Sequence, residues 1–271
     1  MLSTKVYDYI VIGSGFGVSV SAMLLAEKGY SVLVIEKGKR YDNKDFPRTN
    51  WHLGKFLWAP FAGLFGIMKL TFFRDVFVMS GVGVGGGSLV YANTHMVPPD
   101  RFFENGPWAK FGNWKDALMP FYDKARFMLG TERNKTYDQE DRLLKEVAED
   151  FGKAESFESV DVGVYFGDRH HETDPYFNGL GPERQGCVEC AGCMVGCRYN
   201  AKNTLDKNYL YFAQEYGADV IAEREVNKIE YKDGEYYVHT KSSTSWLSKK
   251  RKIVRAKGLV VAGGVLGTMD L

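Results

Sequence analysis

Residues 7–38, YDYIVIGSGFGVSVSAMLLAEKGYSVLVIEKG, restrict what this chain can fold into more than any other stretch. Tyr9–Ile12 is a short apolar run ending in glycine, as a buried parallel strand does. Val18, Ala22, Leu25 and Ala26 then recur at helical spacing on one side, and Gly29 closes the helix. Ser31–Ile35 is a second buried strand, ending at Glu36. The unit is β-α-β, with its turn at Gly13-Ser14-Gly15-Phe16-Gly17-Val18.

Each part of that turn suits a dinucleotide. Gly13 makes the tight bend, and Gly15 lets the backbone approach a pyrophosphate with no Cβ in the way. The helix N-terminus offers unpaired N–H groups and the positive end of its dipole. Glu36, twenty-three positions after Gly13, is placed to accept hydrogen bonds from ribose hydroxyls and to repel a 2′-phosphate. Val18 stands where the third glycine of G-x-G-x-x-G belongs, so the helix is expected to sit slightly further out, with Gly17 relieving some crowding.

A second glycine cluster, SGVGVGGGSLVYANT (80–94), packs Gly81, Gly83, Gly85, Gly86 and Gly87 ahead of Ser88. Such a loop can turn its N–H groups onto an anion or let a flat ring lie against bare backbone. A flexible linker is disfavoured because Leu89, Val90 and Tyr91 follow directly and are expected to be buried. Further on, Glu225–Tyr231 and Glu235–Thr240 read as strands joined at Asp233-Gly234, a hairpin signal. Gly258–Ala262 is another buried strand ending in glycine. An antiparallel insert that returns to a parallel strand suits a flavoprotein better than a simple NAD-linked dehydrogenase, which remains the competing enzyme class.

Bulk properties narrow the field little further. At 271 residues, 45% apolar and 25% charged, the composition is that of an ordinary globular protein. A net charge of +1 leaves no global field to draw in nucleic acid. The basic run Lys249–Lys252 reads as a solvated hairpin tip. With no apolar leader in residues 1–9 and clustered cysteines unlike a secreted disulfide framework, the expected location is cytoplasmic.

DYIVIGSGFG, VLVIEKG, FLWAPFAGLFGI, GVGVGGGSLVYANTHMVPP, the GCMVGC..NAKNTL run and LVVAGGVLGT together resemble the N-terminal, FAD-binding half of the glucose–methanol–choline (GMC) oxidoreductases, in particular the cholesterol-oxidase type. The resemblance implies an α/β, Rossmann-like FAD-binding domain, a parallel sheet plus an antiparallel insert, with part of a substrate domain. Residues 1–95 would be the Rossmann core and flavin loop. Residues 96–200 would be a helical insertion with partial substrate cap and cysteine loop, and 201–271 the return to the FAD domain.

The resemblance further implies that Gly13 and Gly15 approach the FAD pyrophosphate, with Ser14, Phe16 and Gly17 completing the turn and Glu36 on the adenosine ribose beside Lys37. Gly81, Gly85, Gly86 and Ser88 would lie along the pyrophosphate and flavin, with Asn93 near the isoalloxazine. Val226 would offer backbone to the adenine, and Ala262 and Gly263 would close over the cofactor. The implied activity is oxidation of a CH–OH group of a bulky, sterol-like small-molecule alcohol, with hydride passing to flavin N5. The electron acceptor, oxygen or a redox partner, is left open, as is transient membrane contact.

The family's proton-abstracting histidine has no counterpart among His52, His95, His170, His171 and His239, and is expected beyond Leu271. The chain alone is therefore expected to bind FAD without turning over. The alternative is a non-catalytic FAD-binding or electron-transfer subunit, or half of a split enzyme. His170 and His171 read as a surface pair and His95 as structural.

All four cysteines, Cys187, Cys190, Cys193 and Cys197, lie in CVECAGCMVGC with ferredoxin-like spacing. A single set, followed by Arg198 where proline is usual, favours a reduced loop of small apolar residues. An iron–sulfur cluster on the four thiols, or zinc, is the less favoured alternative. The apolar segment 56–68 reads as a core loop, or else as a wall for a large apolar substrate. Two helices, Trp114–Leu129 broken or kinked at Pro120 and Asp138–Gly152, account for scaffold. A third helix, Leu205–Tyr216, would be capped by Asn203 or Thr204.

Overall fold

A computed structural model describes residues 2–245 and 249–271, and the side chains from residue 5 onward. Its centre is the predicted β-α-β unit: β1 (Leu2–Ile12), α1 (Phe16–Glu27) and β2 (Val32–Ile35). A two-stranded ribbon follows, β3 (Met68–Phe72) and β4 (Phe77–Gly81), then the helices α2 (Trp114–Met128), α3 (Gln139–Asp150) and α4 (Tyr209–Glu215). The chain closes through β5 (Asp219–Ile221), β6 (Arg224–Lys232), β7 (Glu235–Ser242) and β8 (Lys252–Val261).

Six strands form one sheet in the order β6-β7-β8-β1-β2-β5. β1 lies between two parallel neighbours, pairing Ile12 with Val261 on one side and with Ile35 on the other. β2 continues to β5 in parallel, while β6, β7 and β8 pair antiparallel. The fold is thus mixed α/β with a sheet whose centre is parallel. The β6–β7 turn is Asp233-Gly234, with φ of 53° and 81°, the left-handed pair a tight hairpin needs.

Both faces of the central strands are covered, which is why they read as unbroken apolar runs. Val11, Val32 and Val34 face α1 and α4, packing with Val18, Ala22, Ala26, Leu210 and Ala213. Ile10, Ile12, Leu33 and Ile35 point the other way, toward Val238, Val254 and Ala256. This alternation is the period-2 geometry of a strand expressed on two cores.

Several local expectations are corrected. Val18 is accommodated within the core rather than crowding it, and a Cβ at Gly17 would meet nothing within 4 Å, so Gly17 relieves no crowding there. α2 runs through Pro120 without a break; its N-terminus is capped by Asn113, which accepts from Asp116 N. The helix expected over 205–216 is split into a tight turn, Leu205–Lys207, and α4. Asn208 caps α4 by accepting from Tyr209 N at 2.7 Å, while the Asn203 Oδ1 that would cap accepts instead from Arg184 and its Nδ2 donates to Gly130 O and Tyr176 OH. Segment 56–68 is neither wholly core nor wholly wall. Trp58, Ile67 and Met68 are buried, and Phe61 at the bend between them is 88% exposed. Among the described residues no helix is long and apolar enough to cross a membrane.

Candidate functional site: two glycine bends in contact

The two glycine-rich segments meet. β1 delivers the first bend at its C-terminal end, and β4 delivers the second. Ser14, itself 1% exposed, joins them. Its Oγ accepts from Gly85 N at 3.1 Å, 71 residues away, lies 3.0 Å from Gly83 O, and donates to Glu36 Oε2 at 2.6 Å. The short, charge-assisted bond to Glu36 takes the single hydroxyl proton when the carboxyl is ionised. Glu36 Oε1 accepts from Gly38 N at 2.7 Å. Burial pushes the Glu36 carboxyl above its ordinary range, and the bonds from Ser14 and Gly38 oppose that shift.

Bare backbone is required where the bends touch. A Cβ on Gly86, whose φ is +53°, would stand 2.8 Å from Gly15 Cα. A Cβ on Gly81 would stand 2.3 Å from Gly86 O, so Gly81 supports the loop from behind. Gly13 has φ +104° and would place a Cβ 2.9 Å from Ala262 O and 3.3 Å from Gly263 Cα, where β8 returns beside β1. Gly15 is different: no atom lies within 4 Å of its would-be Cβ. Its φ of −77° demands no glycine either. A glycine with neither steric nor conformational need opens onto a cradle that a side chain would fill.

The other sequence-predicted residues fall around this centre. Glu36 O accepts from Arg224 N at 2.9 Å, which brings the start of β6, and Val226 two residues on, to the end of β2. The Lys37 carbonyl accepts from Ser243 Oγ at 2.5 Å, and burial draws its ammonium pKa down. Phe16 stacks edge-on against Tyr91 at 5.7 Å. Ser88 is fully buried and braces the loop, donating to Gly85 O at 2.7 Å and accepting from Leu205 N at 3.0 Å. Asn93 has φ +58°, and its Nδ2 donates to Cys193 Sγ at 2.9 Å. Asn93 Oδ1 is buried with no partner, as is Asp206 Oδ1, which would lie 3.5 Å from a Cβ on Gly85. Orphan acceptors of this kind call for a donor from water or a bound group. The open space at Gly15 and these orphans fit a dinucleotide lying along the two bends.

His95 is structural. Its Nε2 pairs with Tyr91 OH and its Nδ1 with Thr131 Oγ1, each at 2.8 Å, and burial holds its pKa below the ordinary value. His171 Nδ1 lies 2.8 Å from Asp168 Oδ2 on the exposed surface. All four thiols are free and line one cavity of about 30 Å³, room for about one water. That volume does not suit an iron–sulfur cluster, and among the described residues no three His, Cys, Asp or Glu side chains group to hold a metal. A separate open cleft of about 1110 Å³, with Lys44, Arg48, His52, Lys55 and Arg198 in its walls, includes none of the predicted cofactor residues.

Sequence reasoning missed the polar floor beneath the glycine loop. Arg184, Lys202, Asn203 and Asn208 are all at most 2% exposed. Arg184 donates to Asn203 Oδ1 at 2.5 Å, Lys202 O at 2.6 Å and Asn200 O at 3.0 Å. Lysine and arginine are almost never fully buried, so no pattern signal marks them. Lys202 and Asn203 lie in the NAKNTL run and Asn208 just beyond it, while nothing in the sequence pointed to Arg184.

Residues 180–271 match the family model described as GMC oxidoreductase. Over 98% of its length the chain is 47% identical to a cholesterol oxidase of Mycobacterium tuberculosis (strain CDC 1551 / Oshkosh), covering 47% of that protein. It is 44% identical to a cholesterol oxidase of Acinetobacter baumannii, again over 98% of the chain and 50% of the relative. A solved FAD-dependent oxidoreductase from Chaetomium thermophilum shares the fold, with TM-score 0.61 and 16% identity over 98% of this chain and 46% of that one. The chain is thus similar to GMC oxidoreductases. Among them it is similar to the two cholesterol oxidases, and it spans about half the length of these curated relatives.

Proposed function

We propose that this chain is the FAD-binding part of a flavin-dependent oxidoreductase that acts on the CH–OH group of a bulky, sterol-like alcohol. The observation that carries it is the contact of Gly86 with Gly15, which joins two glycine bends into one backbone cradle beside a buried acid. Similarity to two cholesterol oxidases at 47% and 44% identity supports the substrate class.

Each residue then has a task. The N-terminus of α1 and the N–H groups of the second bend meet the pyrophosphate with partial positive charge. Glu36, with lone pairs beyond those used by Ser14 and Gly38, accepts from the ribose hydroxyls. Gly85 and Gly86 let the flavin end approach main chain, Val226 offers backbone to the adenine, and Ala262 and Gly263 close the returning side. FAD, when bound, supplies the two-electron acceptor for the hydride leaving the alcohol carbon. The proton of the hydroxyl needs a base within hydrogen-bond reach. His95 as it stands has no unengaged ring nitrogen for that proton, its Nε2 pairing with Tyr91 OH and its Nδ1 with Thr131 Oγ1.

Loading the purified chain with FAD, with NAD as control, tests this reading. We expect a yellow protein binding one FAD per chain, no comparable affinity for NAD, and a flavin that stays oxidised when a sterol is added without oxygen. A folded protein that stays colourless, or prefers NAD, overturns the cofactor assignment. Bleaching by the sterol would show that the base is present among these residues.

A further inference from the structure

The side chain of Lys202 is completely buried, and among the described residues no carboxylate lies within ion-pair distance of it. An isolated ammonium in that position is costly unless every N–H is satisfied. Here all three are spent on main-chain carbonyls: Leu89 O at 3.2 Å, Tyr91 O at 2.7 Å and Cys193 O at 2.9 Å. The Nζ also sits 4.6 Å from the centre of the Tyr91 ring, a cation–π distance.

Those three carbonyls belong to two separate segments. Leu89 and Tyr91 are the exit of the second glycine bend; Cys193 opens a tight turn, Cys193–Val195, in the cysteine loop. Asn93, two residues past Tyr91, is tied to the same turn through Cys193 Sγ. Three residues along from Lys202, Leu205 N holds Ser88 Oγ. Segment 202–205 thus grips the glycine bend at Ser88, Leu89 and Tyr91, and the ammonium also reaches the cysteine loop through a charge-assisted bond to Cys193 O.

We propose that Lys202 is a positioning residue for the flavin nucleotide: its ammonium ties the exit of the glycine loop to the Cys193 turn and so holds Gly85–Asn93 in the shape that accepts the cofactor. The assignment rests on the FAD reading above. It also gives the cysteine loop a role, as an anchor for the cofactor loop, that needs no metal and no disulfide.

The test compares wild type with Lys202→Met and Lys202→Ala. FAD affinity is read by quenching of flavin fluorescence, and folding by circular dichroism and melting of the FAD-free protein. Lys202→Met is expected to bind FAD at least ten-fold more weakly while keeping the sheet signature. For Lys202→Ala, n-propylammonium is expected to restore affinity, and n-propanol, the neutral filler of the same size, is not. Equal affinity of folded Lys202→Met and wild type overturns the proposal, as does equal rescue by the two fillers.

Should neither variant fold, hydrogen exchange of the wild-type protein decides. FAD is expected to protect amides of 187–197 together with those of 83–93, and protection confined to 13–19 and 83–88 contradicts the proposal. If wild type itself binds no FAD, the functional reading fails first; if wild type binds and the Lys202 result is negative, only this inference fails.

Discussion

Glu36 is almost wholly buried between Ser14 and Gly38, and burial raises its carboxyl pKa. A carboxyl with a raised folded pKa holds its proton in the fold longer than in the unfolded chain. Its contribution to stability is therefore full below pH 4.5 and is lost as pH rises through the folded value. Glu36→Gln removes that penalty at neutral pH and can still satisfy its neighbours. Its amide oxygen accepts from Gly38, its NH₂ donates to Ser14, and the Ser14 hydroxyl turns to Gly83 O. We expect the variant to melt no lower than wild type at pH 7, yet to bind FAD ~10-fold or more weakly, since an ionised acceptor is lost. Unchanged FAD affinity would remove Glu36 from the ribose site. Gly86→Ala behaves in the opposite way. With φ +53° and Gly15 Cα only 2.8 Å from the new Cβ, it is expected to cost ~1–3 kcal/mol of stability in a denaturant titration as well as cofactor affinity. A wild-type unfolding midpoint would show that the two bends do not touch as described.

At the scale of elements, the second glycine loop is joined to the segment just after α2 through a relay from Tyr91 to His95 to Thr131. Burial lowers the His95 pKa, so the unfolded chain binds a proton more readily than the fold as pH drops below 6.5. Stability from this site is full above pH 6.5 and falls as pH is lowered through the folded value. Thermal melting between pH 7 and pH 5 should show a steeper loss for wild type than for His95→Gln. At pH 7 the variant itself is expected to cost ~1 kcal/mol for one missing hydrogen bond. Parallel pH curves would place His95 outside the buried relay.

Elements whose cause is local were legible in the residues. The β-α-β unit followed from Tyr9–Ile12, the helical spacing of Val18, Ala22 and Ala26, and Ser31–Ile35. The hairpin followed from Asp233-Gly234. Elements decided by tertiary partners were not legible. Asn203 looked like a cap, but its Oδ1 accepts from the buried Arg184, and Asn208 caps instead. Pro120 looked like a break or a kink, and the helix carries on through it without a break. Of the site, the glycines and Glu36 could be named beforehand. Their contact across 71 residues, the hub at Ser14 and the buried Lys202 could not, since each depends on where a distant segment lands.

For the whole molecule, the sheet order places the C-terminal ends of β1, β2 and β8 side by side, where ligands of open α/β sheets bind. The first glycine bend, Glu36 and Ala262-Gly263 all sit at those ends, and β4 brings the second bend to them. The chain covers about half of its cholesterol oxidase relatives, and this half contains the contact between the two bends. The central claim is that bare main chain at that contact forms a cofactor cradle, and Gly15→Ala tests it most directly. Its Cβ meets no protein atom within 4 Å, and its backbone is ordinary for alanine, so FAD-free stability should match wild type within ~0.5 kcal/mol. FAD binding, measured by flavin fluorescence quenching on the same samples, should weaken ~10-fold or more as the methyl group takes space reserved for the pyrophosphate. Wild-type FAD affinity in a fully folded Gly15→Ala protein would contradict the account.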